Sequence, residues 1–118
     1  MRGKGILSQT GPVPEEDLRE IVRHIVHAAQ PEKIILFGSA ARGTRGPHSD
    51  LDLLVIKRGD YNHNAVTRDI YRSLRDIEYA KDIIVVTPGE AEAYRDCFAL
   101  VICPALREGR VIYERPAE

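Results

Sequence analysis

The amino-acid sequence predicts one small α/β (α+β) domain, with helices packed on a mostly apolar β-sheet, and three observations carry that expectation. Continuous apolar runs at 33–37, 51–56 and 83–86 have strand length and end at Pro, Gly or charged residues, as strands covered on both faces do. Two longer stretches repeat apolar residues every three or four positions, which is the helical period. The 118 residues, 43% hydrophobic and 30% charged, are enough for one core and are not the composition of a disordered chain.

The elements follow in chain order. Residues 1–13 mix Gly, Ser, Gln, Thr and Pro without period and are expected to form a flexible leader, leaving 14–118 as a single domain. Pro14-Glu15-Glu16-Asp17 places a proline and three acids in a first helical turn, where the partial positive charge of the helix end favours anions. Leu18, Ile21, Val22, Ile25 and Ala29 then recur at helical spacing up to Gln30-Pro31. Lys33–Phe37 is the first strand and Leu51–Ile56 the second; between them Ala40–Arg42 has room for one helical turn but not for a crossover helix. Val66, Ile70, Leu74 and Ile77 predict a helix over 64–78, and Ile83–Val86 a third strand stopped by Thr87-Pro88-Gly89. A helix from about Glu90, broken at Pro104 and stopped at Gly109, leads to a short edge strand at Val111–Tyr113.

Charge and composition exclude several functions. Lys plus Arg number 17 against 18 Asp plus Glu, so the chain lacks the basic excess of a dedicated duplex-DNA binder. No apolar stretch approaches the ~20 residues of a membrane helix, and the N-terminus carries no secretory signal, so no membrane association and a cytoplasmic setting are expected.

The segment that carries chemistry begins at Gly38-Ser39, where the first strand ends, and resumes at Asp50-Leu51-Asp52, where the second begins. In a strand, residues i and i+2 share a face, so Asp50 and Asp52 stand together while Leu51 and Leu53 turn into the core. Paired carboxylates repel and resist desolvation unless a cation lies between them. Magnesium suits them, because it takes hard oxygen ligands and completes its octahedron with water and phosphate. Asp82, opening the third strand, is the expected third carboxylate; Glu78, at the expected end of a helix, is the less favoured alternative. Gly38 permits a tight turn or a close backbone approach, Ser39 offers a hydroxyl and an amide to a phosphate, and Arg42 and Arg45 add cationic donors. Phosphoryl and nucleotidyl transfer need little more than such charge neutralisation and alignment. The first and second glycines of Gly38-Ser39-Ala40-Ala41-Arg42-Gly43 have P-loop spacing, but Thr44-Arg45 replaces Lys-Ser/Thr and Pro47 forbids a long helix; a GxGxxG turn is absent too.

Ile35-Leu36-Phe37-Gly38-Ser39-Ala40-Ala41-Arg42-Gly43 together with His48-Ser49-Asp50-Leu51-Asp52-Leu53-Leu54-Val55 resembles the signature of the DNA polymerase beta nucleotidyltransferase superfamily, most closely its minimal nucleotidyltransferase (MNT) branch. Asp82–Pro88 and Leu106–Tyr113 are similar to that family's third motif and C-terminal ending. The resemblance implies a mixed sheet, ATP or another nucleoside triphosphate as substrate, and two magnesium ions held by Asp50, Asp52 and Asp82. It implies that Gly38, Ser39, Arg42 and Ser49 bind the nucleotide. Asp82 would help activate an acceptor hydroxyl, whose oxygen attacks the α-phosphorus and expels pyrophosphate. Larger members add a domain that recognises the acceptor, so recognition here is expected from a partner or a homo-oligomer. Members of this size are commonly paired with a helical HEPN protein as a toxin–antitoxin system, which implies an antitoxin acting as a protein adenylyltransferase. The alternative is a binding module that neutralises such a partner by contact alone.

Other residues have plainer readings. His24 and His27 lie three apart on a helix without a third ligand, His48 is a loop residue, and Cys97 and Cys103 lack paired metal-ligand spacing. Tyr61, Tyr71, Tyr79, Tyr94 and Tyr113 are scattered and read as packing or surface residues.

Overall fold

A computed structural model describes residues 12–43, 50–94 and 109–116. The described elements run α1 (Glu15–Ala29), β1 (Lys33–Phe37), α2 (Ser39–Arg42), β2 (Leu51–Ile56), α3 (His63–Ser73), β3 (Lys81–Val86), α4 (Pro88–Tyr94) and β4 (Arg110–Glu114). The strands form one mixed sheet in the order β3-β2-β1-β4. β1 runs antiparallel to both β2 and β4, and β2 runs parallel to β3 with α3 as the crossover.

The inner strands β1 and β2 are buried on both faces, which is why they read as continuous apolar runs instead of alternating ones, whereas β4 at the edge has no fully buried residue. On one face, Ile34, Leu36, Leu51, Leu53 and Val55 pack against Leu18, Ile21 and Ile25 of α1 and Ile70 of α3. On the other, Ile35, Phe37, Leu54, Ile56 and Val86 form a smaller cluster with Ala91 of α4. The second face carries the site, because Asp52 alternates with Leu53 and so shares the side of Leu54 and Ile56.

The expected ends of α1 hold. Pro14 precedes the first turn, and Gln30 adopts a left-handed conformation (φ 51°) with its N–H on the Val26 carbonyl before Pro31 closes the helix. Several boundaries differ from expectation. Val13, placed by the sequence in the leader, is buried in the main core, whereas residues 1–11 lie outside the described part. α3 ends at Ser73 instead of reaching 78. Leu74 and Ile77 are still buried, but they are reached through successive turns, with the Ile77 N–H on the Leu74 carbonyl at 2.9 Å, so the apolar rhythm outlasts the helix. α4 starts at Pro88, two residues early, because Thr87 and Glu90 cap each other: Thr87 N donates to Glu90 Oε1 (2.8 Å) and Glu90 N to Thr87 Oγ1 (3.0 Å). The expected break at Pro104 falls outside the described residues, and the last strand is extended to Arg110–Glu114 on the sheet edge beside β1.

Candidate active site

Strand register brings the expected carboxylates to one end of the sheet. Asp52 faces Phe37 across the antiparallel β1–β2 pair and Asp82 across the parallel β2–β3 pair, so it is flanked by strands on both sides. Asp50 immediately precedes β2, on the same side as Asp52, while Leu51 and Leu53 are fully buried beneath them. Asp82 belongs to β3 one residue after its start, with Lys81 first. Asp50 and Asp82 are exposed and Asp52 is half-buried.

That difference in position decides the electrostatics. Partial burial on the inner strand pushes the Asp52 carboxyl above its ordinary range, and the negative charges of Asp82 and then Asp50 push it further. Among the described residues no ion pair or hydrogen bond reaches the carboxylates of Asp50, Asp52 or Asp82. Nor do any three His, Cys, Asp or Glu side chains among the described residues close into a compact metal-ligand cluster. Asp52 therefore senses the charge of both neighbouring aspartates at this end of the sheet.

The Gly-Ser turn lies directly against Asp52. Gly38 leaves β1 with φ 74° and ψ −157°, and its carbonyl accepts from the amides of Ala41 (3.1 Å) and Arg42 (3.3 Å) to start α2. A Cβ at Gly38 would collide with Asp52 Oδ2, so the missing side chain makes the space that the carboxylate occupies. Ser39 is half-buried at the first position of α2 and Arg42 is exposed at its last. Gly43 closes the turn in a left-handed conformation. Arg45, His48 and Ser49 lie outside the described residues. Glu78 is exposed in the turns between α3 and β3.

The remaining candidates are accounted for locally or fall elsewhere. His24 contacts Glu20 at 3.2 Å, His27 is exposed, and Cys97 and Cys103 lie outside the described residues. A cavity of about 420 Å³ lies between α1 and β4, lined by residues such as Leu18, Val22 and Ile112, and includes none of the expected site residues.

Residues that the sequence did not single out surround Asp82. Lys81 Nζ donates to the carbonyls of Ile77 (2.7 Å) and Tyr79 (2.6 Å), and burial lowers its pKa. Tyr71 Oη accepts from the Ile83 N–H at 2.9 Å, and the Tyr79 hydroxyl donates to the buried Asp17 at 2.7 Å. No local pattern marks Tyr71 or Tyr79, because their partners are 12 and 62 residues away.

A mixed sheet with a Gly-Ser turn at the end of one strand and aspartates on the next two is the architecture of a nucleotidyltransferase domain. The chain belongs to the polymerase beta nucleotidyltransferase family, whose model matches residues 19–118. The resemblance read from the motifs is thereby borne out. Among solved structures, a candidate nucleotidyltransferase from Sulfolobus solfataricus is 23% identical with a TM-score of 0.59, over 86% of this chain and 80% of that one. A tyrosine-to-alanine mutant of the toxin–antitoxin MntA-HpeT is 20% identical with a TM-score of 0.52, over 87% of this chain and 74% of that one. At these identities the likeness is one of fold. No curated protein matches the sequence.

Proposed function

We propose that this chain is a magnesium-dependent nucleotidyltransferase that moves AMP from ATP to a hydroxyl acceptor, and that it serves as the antitoxin of a HEPN-type partner. The observation that carries the catalytic half is the placement of Asp52. It is half-buried between β1 and β3, beside two further aspartates, with no cationic side chain on it among the described residues. An anionic arrangement of this kind favours a hard divalent cation, and the missing side chain at Gly38 lets the Gly-Ser turn lie directly against Asp52. In this reading Asp50, Asp52 and Asp82 hold two magnesium ions. Bound magnesium would supply neutralisation of the triphosphate and of the charge that develops at the α-phosphorus.

The chain's own groups bind and orient. Gly38 and Ser39 present backbone and hydroxyl to the triphosphate, and Arg42 and Ser49 add donors around it. In this reading Asp82, on the outer of the two carboxylate strands, accepts the proton of the incoming hydroxyl. Acceptor recognition, in the same reading, falls to a partner. The likeness in fold to MntA-HpeT suggests the class of that partner. Among the described residues no helix is long and apolar enough to cross a membrane, in keeping with the proposed cytoplasmic setting.

The test is to incubate the purified protein with α-labelled ATP and magnesium, with and without a co-expressed neighbouring helical protein, and to follow label by gel and intact mass. AMP on the partner, abolished by Asp50→Asn, is the expected result. A stable complex that neutralises the partner without transfer, equally well with Asp50→Asn plus Asp52→Asn, would replace this proposal by neutralisation through contact.

A further inference from the structure

The two carboxylate strands are held unequally. β2 is paired on both sides, whereas β3 is an edge strand among the described residues, and Asp82 is exposed one residue from its start. Strand ends at a sheet edge open more readily than interior ones. An exposed aspartate there stays in register with Asp52 only if the edge is restrained.

The hydrogen bonds show what restrains it. The Leu51 N–H meets the Ala80 carbonyl at 2.8 Å and the Lys57 N–H meets the Val86 carbonyl at 2.9 Å, so even-numbered β3 residues turn their polar groups toward β2. By the alternation of the ladder, the Ile83 N–H points away from β2, toward the free edge. Tyr71, on the outer part of α3, receives that N–H on its hydroxyl oxygen at 2.9 Å. Tyr71 itself is 37% exposed, so its ring lies at the edge of the core and its hydroxyl reaches the strand backbone. On the other side of Asp82, Lys81 Nζ grips the two carbonyls of the preceding turn. Asp82 therefore sits between two anchors, one before and one after it in the chain.

We infer that Tyr71 is a positioning residue: by accepting the edge N–H of Ile83 it keeps the start of β3, and with it Asp82, in register with Asp52. Tyr71 acts through the β3 backbone and needs no contact with nucleotide. The inference rests on the proposed function only for what Asp82 is positioned to do; the anchoring itself belongs to the protein without nucleotide.

The experiment compares wild type with Tyr71→Phe, using Tyr61→Phe as control because the Tyr61 hydroxyl bonds Lys57 at the opposite end of the sheet. Amide hydrogen exchange by NMR in metal-free protein reads the anchoring. In Tyr71→Phe, the Leu53 and Ile84 amides, which bridge β2 and β3 beside Asp82, should exchange roughly 2- to 13-fold faster, the factor equivalent to one ordinary hydrogen bond. The Lys57 amide at the far end should be unchanged, and Tyr61→Phe should leave Leu53 and Ile84 at wild-type rates. Manganese affinity, read by paramagnetic broadening, should fall in Tyr71→Phe, and kcat for AMP transfer should fall more than KM for ATP rises. Unchanged exchange at Leu53 and Ile84, or faster exchange spread evenly over the sheet, would overturn the inference. Local loosening beside Asp82 in a protein that neither binds manganese nor transfers AMP would leave the anchor standing and reject the catalytic reading instead.

Discussion

Gly38→Ala tests the link between backbone geometry and the carboxylate site. At φ 74° and ψ −157°, Gly38 occupies a region open almost only to glycine, and forcing alanine into it costs on the order of 1–3 kcal/mol. The new methyl group would also collide with Asp52 Oδ2 and stand 3.3 Å from its Cγ, so the carboxylate must turn away from a favoured rotamer, for about 0.5–1.5 kcal/mol more. Together these predict a loss of roughly 2–4 kcal/mol, or a melting temperature lower by upwards of ~8 °C for a domain of this size. Gly43→Ala is the internal reference. It has the same φ of 74°, but among the described residues its Cβ would meet only Pro12 Cγ at an ordinary 3.6 Å, so it should lose only about 1–2 kcal/mol. Urea unfolding of the two variants measures the difference. AMP transfer, assayed well below each melting point, should fall at least tenfold in Gly38→Ala because Asp52 is displaced. A Gly38→Ala protein as stable as Gly43→Ala, with wild-type transfer, would refute both the close approach and the role assigned to Asp52.

Asp52→Asn should make the metal-free protein more stable while abolishing transfer. Burial and neighbouring charge raise the folded-state value of Asp52 above the ordinary 3.8, so the folded state binds the extra proton, and stability from this group falls as pH rises from about that value through the raised one. The gain from Asn should accordingly be smaller at pH 3 than at pH 7 in urea titrations; equal gains at both would show that charge is not the cause. Tyr79→Phe should cost about 1–3 kcal/mol, since it takes a hydroxyl donor from the buried carboxylate of Asp17, and thermal unfolding with a loss under a few tenths would contradict the buried bond. Thr87→Ala should cost about 1 kcal/mol, with amide exchange rising first in α4, because one arm of its capping pair is lost.

What could be read in advance, and what could not, divides by the range of the interaction. Asp50, Leu51, Asp52 and Leu53 alternate within one strand, a period of two that any short segment displays, so their sidedness was legible before any partner strand was known. The Thr87 to Glu90 cap is equally local, but a search that starts from the apolar period passes over it and places the helix two residues late. The end of α3 was not legible, because Leu74 and Ile77 remain buried after the helix stops and apolar rhythm cannot tell a helical turn from the turns that replace it. Nor were the anchors at Tyr71 and Tyr79, whose partners on β3 and α1 are 12 and 62 residues away and meet them only once those elements have packed. The same division runs through the aspartates themselves. All three are identical in chemistry and all stand at the mouths of strands, but Asp52 is the half-buried one, and burial pushes its carboxyl up, with Asp82 and Asp50 adding to it. That distinction comes from strand order: β2 lies between β1 and β3, and Gly38 at the end of β1 backs onto the Asp52 side chain. A motif can bring two carboxylates to one face, but which of them must shed its water is decided by the sheet that assembles around it.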